Sequence, residues 1–209
     1  MKSETFLFGR ILKKYKMSKK DINDLNKTYE KARDNLNSFG PRLAGRLETE
    51  LDFTKIFEST KIFPKICKCI IDYVNEYESL ITGSISNSGE YEPFPHKSFE
   101  IISCWINDMK EGEYNPPHTH HDNSGWSTVL FLKVPKFIDD TKDPHKFKDG
   151  QLGFRGHSST TAWFKPEVGD FYVFEASHVH SVNPFKTNPP NQIRRSMSFN
   201  FVLKHPNVK

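Results

Sequence analysis

Cysteine is scarce in this 209-residue chain, with only Cys67, Cys69 and Cys104. An odd number at these spacings builds no disulfide framework, and no apolar leader segment follows Met1, so a reducing cytoplasm is expected. No run approaches the roughly eighteen apolar residues that a membrane helix needs, and no membrane partner is expected. G-x-G-x-x-G, the P-loop and internal repeats are all missing, which leaves dinucleotide and nucleoside-triphosphate chemistry without a motif. Neither sign of charge dominates: 30 Lys and Arg face 26 Asp and Glu, for a net +4. The lysines are densest over 13–20, which reads as a solvated face more readily than as a nucleic-acid surface. Cys67-Lys68-Cys69 has the look of half a thiolate metal site. It falls in a helical pattern with no second thiol pair, so all three cysteines are expected to be buried and structural.

What the chain does have is the material for one core. Its length suits a single domain over 1–209, and 13% aromatic residues with 18 Phe predict a Phe-rich interior. The first eighty residues read as helical. Ser18 is a candidate N-cap with Asp21 three residues on, and Ile22, Leu25, Tyr29, Ala32 and Leu36 follow at helical spacing until Gly40-Pro41 stops them. A second stripe, Ile66, Ile70, Val74 and Tyr77, predicts a helix over 62–80 with Pro64 in its first turn. The Gly-, Ser- and Pro-rich stretch 82–97 reads as a loop. From Ser98 the pattern changes to short strands, at 99–109, 127–134, 151–155, 171–174 and 194–203. A mainly helical part over 1–97 and a strand-rich part over 98–205 predict an α+β architecture, with helices packed on one face of an antiparallel sandwich or barrel.

Five of the nine histidines fall in two clusters, His118, His120 and His121 in the first and His178 and His180 in the second. Side chains two apart on a strand share a face, so His120 and Asp122 are able to grip one ion, with His180 as the third ligand. Two imidazoles and a carboxylate on one face of an octahedral metal leave three open positions, which suits iron(II). His118 has the same parity, so His118 with His120 is the alternative first pair, giving a three-histidine site. The carboxylate set is preferred because it offsets the charge of the dication, leaving His118 or His121 to support a ligand. Against both stands a simpler reading, in which the histidines cap the turn Asn115-Pro116-Pro117 and bind nothing. In 194–201 period two puts Arg194, Ser196, Ser198 and Asn200 on a polar face, and Arg195, Met197, Phe199 and Phe201 on the other. Arg194 would pair with a carboxylate, aided by the Ser196 hydroxyl. Trp105, Asn107, Tyr114 and Trp126 are candidate pocket residues.

CWINDMKEGEYNPPHTHHDNSGWSTVLFLKVP, GQLGF, PEVGDFYVFEASHVHSVNPF and RRSMSFNF, in that order, resemble the 2-oxoglutarate- and iron(II)-dependent oxygenases common in marine bacteria and their phages, some of them labelled prolyl-hydroxylase-like. PRLAGRLETE is more weakly similar to a segment upstream in such proteins. The resemblance implies a double-stranded β-helix of jelly-roll or cupin type. It implies His180 as the distal ligand, since 180–184 fit H-x-V-x-P, and Arg194 and Ser196 as the residues that hold 2-oxoglutarate, since 194–200 fit R-x-S-x-S-F-N. Where relatives often read H-x-H-P-G, this chain has His121 and Asp122 in place of Pro and Gly. The implied cofactors are Fe(II), 2-oxoglutarate and O2, and the implied reaction is hydroxylation of a small molecule or protein side chain with release of succinate and CO2. Two other functions fit parts of the pattern: a three-histidine cupin dioxygenase that uses no 2-oxoglutarate, and a non-catalytic metal-binding module. The insertion at 136–148 and the N-terminal part are candidates to shape the entrance.

Overall fold

The computed structural model describes residues 2–7, 10–40, 44–82, 98–120, 125–138, 148–156 and 160–204. In chain order these form β1 (Ser3–Leu7), β2 (Ile11–Lys16), α1 (Lys19–Ala32), β3 (Glu50–Asp52), α2 (Thr54–Phe57), α3 (Phe63–Thr82), β4 (Ser98–Met109), β5 (Asn115–His118), β6 (Trp126–Lys133), β7 (Leu152–Arg155), β8 (Thr161–Phe164), β9 (Asp170–Glu175), β10 (His180–Val182) and β11 (Arg194–Lys204). The five strands expected from the sequence are β4, β6, β7, β9 and β11. The predicted loop at 82–97 lies almost wholly outside the described residues, as does most of the insertion at 136–148.

The N-terminal part differs from the all-helical expectation. Ile11, Lys13 and Tyr15 alternate with Leu12, Lys14 and Lys16, and this period of two makes β2, which pairs antiparallel with β1 and β9. Lys13 breaks the apolar alternation that would advertise a strand, yet it is buried, with its ammonium bonded to Asp72 and Glu76 of α3. The lysine-rich segment is therefore neutralised from several sides. Lys14 meets Glu4, Lys16 meets Glu167 and Asp170, and Lys20 meets Asp24.

The strands form two antiparallel sheets, one of seven strands in the order β1-β2-β9-β6-β11-β4-β3 and one of four in the order β5-β10-β7-β8. Between them lies one apolar layer, with Leu12, Phe131, Tyr172 and Phe174 from the larger sheet and Leu152, Phe154 and Val182 from the smaller. The opposite face of the larger sheet presents Ile106, Leu130, Phe171, Met197 and Phe199 to Ile22, Leu25 and Tyr29 of α1 and Ile66, Ile70 and Tyr73 of α3. The chain is thus mostly sheet with few helices, and its core is rich in Phe as expected. β11 separates its faces as period two requires: Met197, Phe199 and Phe201 pack toward the helices, and Arg194, Ser196 and Ser198 line a cavity between the sheets.

α1 starts at the predicted cap, where the Ser18 hydroxyl accepts from the Asp21 amide. It ends at Ala32, earlier than the apolar spacing suggested, because a 3-10 turn over Arg33–Asn35 leads into extended backbone at Leu36. Cys69 and Cys104 are buried, and burial pushes the Cys69 thiol up to about 12. Cys67 is only half-buried, so the expectation of three buried cysteines holds for two.

Candidate active site

β5 is where the first histidine cluster begins. Its prolines, Pro116 and Pro117, are tolerated because β5 is an edge strand of the smaller sheet. The strand ends at His118, so His120 is not on it. The backbone instead turns across to the larger sheet, where the His120 amide donates to the Ala176 carbonyl at 3.0 Å. His180 opens β10 and stands opposite His118 in register. The His118 and His180 rings are 4.3 Å apart between centroids, and His120 stacks on His180 at 5.2 Å. One ligand nitrogen from each of His118, His120 and His180 lies within 4.8 Å of the other two. His121 and Asp122 fall outside the described residues. His178 is not in the group, for its Nε2 lies 3.1 Å from the Arg155 carbonyl.

The imidazoles are oriented by their other nitrogen. His118 Nδ1 lies 2.7 Å from the Pro116 carbonyl and His180 Nδ1 lies 2.9 Å from the His178 carbonyl. A carbonyl only accepts, so both Nδ1 atoms carry the proton and both Nε2 atoms keep a lone pair. Burial lowers the basicity of all three rings, and the neighbouring imidazoles lower those of His120 and His180 further, with His120 brought to about 4. Three neutral imidazoles are what a divalent metal requires.

Arg194 lies in the same cavity, with its guanidinium 4.6 Å above the Phe131 ring. It is 2% exposed, and among the described residues neither Nε nor Nη2 has a hydrogen-bond partner. Nη1 lies 3.7 Å from the Met109 sulfur. Burial without an anion pushes it down to about 9. Arg195, one residue on, is paired on the helical side, with Nε 2.5 Å from Asp108 Oδ1 and Nη1 2.6 Å from Glu30 Oε1. Ser196 is buried beside Arg194 on the cavity wall. A planar cation with two unbonded donors, beside a hydroxyl, fits the carboxylate of a small dianion.

Of the four proposed pocket residues, Trp105 and Asn107 line this cavity. Tyr114 lines a separate groove with Trp163 and Arg155. Trp126 belongs to the core, stacked on Phe201. Ala44 and Leu47, from the PRLAGRLETE segment, also line the cavity, a role for which their types gave no signal. Ser127 and Asn200 were missed as partners of His120. Ser127 Oγ lies 2.9 Å from its Nε2 and the Asn200 amide 3.3 Å from its Nδ1.

Residues 103–200, which hold the histidines, Arg194 and Ser196, match the model of a family described as "Putative 2OG-Fe(II) oxygenase". The family and the structural neighbours that this chain resembles are 2-oxoglutarate- and iron(II)-dependent oxygenases and hydroxylases. Among solved structures, a viral collagen prolyl hydroxylase from Paramecium bursaria Chlorella virus 1 aligns with a TM-score of 0.58 at 15% identity, over 91% of this chain and 94% of that one. A Trichoplax adhaerens prolyl hydroxylase, solved with a hypoxia-inducible-factor peptide, aligns at 0.56 and 10% identity over 94% and 84%. A Pseudomonas putida prolyl-4-hydroxylase aligns at 0.54 and 15% over 93% of each chain. At these identities the likeness establishes a shared fold. No protein of curated function matches the sequence.

Proposed function

We propose that this protein is a 2-oxoglutarate- and iron(II)-dependent oxygenase, folded as one domain around a double-stranded β-helix, that hydroxylates a small molecule or a protein side chain. The observation that carries this reading is the unpaired Arg194 guanidinium buried in the same cavity as three convergent imidazoles. His118, His120 and His180 would hold the metal, and Arg194 with Ser196 would hold the 5-carboxylate of 2-oxoglutarate. This set departs from the preferred sequence-based one of His120, Asp122 and His180, because His118 directly faces His180 across the β5–β10 pair. Iron(II), when bound, would supply the activation of O2, which is the oxidant, while 2-oxoglutarate would supply two electrons as it is converted to succinate and CO2. The protein's own part is to bind and to exclude water. Arg194 gains the anion that its burial calls for, Phe131 walls the guanidinium from solvent, and Trp105 narrows the space beside His120. Cys67, Cys69 and Cys104 form no disulfide, which suits a cytoplasmic location. Among the described residues no helix is long and apolar enough to cross a membrane.

The test is turnover of 2-oxoglutarate to succinate by purified protein with iron(II) and O2. Activity that is lost in Arg194→Ala and in His180→Ala supports the assignment. The convergence of three histidines also favours a second reading, a cupin-type dioxygenase without 2-oxoglutarate. Iron binding that is intact, with no 2-oxoglutarate consumed and no effect of Arg194→Ala on metal content, would select that one.

A further inference from the structure

His118 and His180 share a device that His120 lacks in its present hydrogen bonding. Each of the first two donates Nδ1–H to a main-chain carbonyl, at 2.7 and 2.9 Å, and so turns a bare Nε2 toward the common centre. His120 has no carbonyl at Nδ1. There it meets the amide of Asn200, whose nitrogen is 3.3 Å away, while the Asn200 Oδ1 atom is buried with no donor among the described residues. An amide N–H2 pointing at Nδ1 demands a lone pair there and places the ring proton on Nε2. Such a His120 donates to Ser127 Oγ and is closed to a metal. A half-turn of the same amide presents oxygen in place of nitrogen, accepts the Nδ1 proton and gives the orphaned oxygen its donor. The ring then carries a lone pair on Nε2, and the Ser127 hydroxyl, 2.9 Å away, donates to it.

Asn200 and Ser127 are register partners on β11 and β6, so the larger sheet delivers both contacts to His120, which of the three clustered histidines is the one on no strand. We infer that Asn200 is the positioning residue of the metal centre. Its side-chain carbonyl does for His120 what the Pro116 and His178 carbonyls do for His118 and His180, and Ser127 occupies the ligand position of His120 until a metal displaces it. This inference rests on the three-histidine centre proposed above. It predicts the proton position in the metal-free protein, which does not depend on turnover.

Long-range proton–nitrogen NMR on uniformly nitrogen-15-labelled, metal-free protein at neutral pH reads the tautomer directly, with the His120 signals assigned by their loss in His120→Gln. The expected result is a protonated Nδ1. A protonated Nε2 overturns the inference, whatever metal the protein binds. Manganese(II) titration then separates positioning from packing. Asn200→Asp keeps an acceptor at Nδ1 and is expected to bind within about threefold of the unmodified protein, whereas Asn200→Leu is expected to lose about 10–100-fold, the usual cost of removing such a support. Equal losses in both variants would also overturn the inference. If the unmodified protein binds no metal, the oxygenase reading fails, and the tautomer alone decides the role of Asn200.

Discussion

Two residues carry charge states that the environment around them has set, and each leads to an experiment. Arg194 is a buried cation without an anion, so replacing it with an apolar side chain of similar length removes a desolvation cost. Arg194→Met is expected to raise the unfolding free energy of the ligand-free protein by about 1–3 kcal/mol in urea titrations. The same variant should show no stabilisation by millimolar 2-oxoglutarate, which the unmodified protein should show. Glu50 is 2% exposed, with Oε1 unpartnered, and stands directly opposite Asn107, whose Oδ1 is also unpartnered. Burial, reinforced by the nearby Glu113, pushes its carboxyl up to about 7. A proton on Glu50 supplies the donor that this pair of oxygens lacks. Because the folded chain holds that proton and the unfolded chain releases it near the usual carboxylate pKa of about 4.3, stability from the neutral acid is full below that value. It declines as pH rises to about 7 and is flat above. Glu50→Gln should therefore match the unmodified protein at pH 4 and exceed it at pH 8 by about 3–4 kcal/mol. An equal difference at both pH values would show that ionisation plays no part.

Arg195 and Lys13 fix elements rather than chemistry. The Arg195 guanidinium bonds both oxygens of Asp108 on β4, reaches Asn26 and Glu30 on α1, and lies 4.3 Å over the Tyr29 ring. One buried side chain thus ties α1 to the neighbouring strands β4 and β11. Asp108→Ala leaves that cation without its buried anion and is expected to cost about 3–5 kcal/mol, against less than about 1 kcal/mol for Glu30→Ala, whose side chain is 52% exposed. Equilibrium urea unfolding measures both. Lys13 plays the same part between β2 and α3, where Tyr15 adds a 2.8 Å bond from its hydroxyl to Asp72. Sequence reading overlooked β2 for this reason. Its lysine is satisfied by carboxylates nearly sixty residues away, and nothing local distinguishes a paired lysine from a solvated one. β5, β8 and β10 were missed on other grounds, being three or four residues long with too few alternations to register.

For the molecule as a whole, the layered arrangement of helices, large sheet and small sheet places the proposed metal site at a joint between the two sheets. His118 and His180 belong to the small sheet, and Asn200, Ser127 and Arg194 to the large one. Metal and 2-oxoglutarate together should therefore staple the sheets. Manganese(II) with the unreactive analogue N-oxalylglycine, each at about a hundred times its dissociation constant, is expected to raise the melting temperature by about 10–20 °C. A chelator should reverse the shift, and His180→Ala should abolish it. By itself the sequence determined what depends on local period and residue chemistry. It determined the cap at Ser18, the strands β4, β6, β7, β9 and β11, the split faces of β11 that put Arg194 and Ser196 on one side, and a cluster of histidines suited to a metal. The tertiary structure decided what depends on partners far along the chain. The β5–β10 register brought His118 onto His180, where parity had allowed either first pair, and the placement of Phe131 and Met109 left Arg194 without an anion while Asp108 took Arg195. Adjacent arginines of identical chemistry acquired opposite roles because a strand sends neighbours to opposite faces, and only the packed layers determine what each face meets.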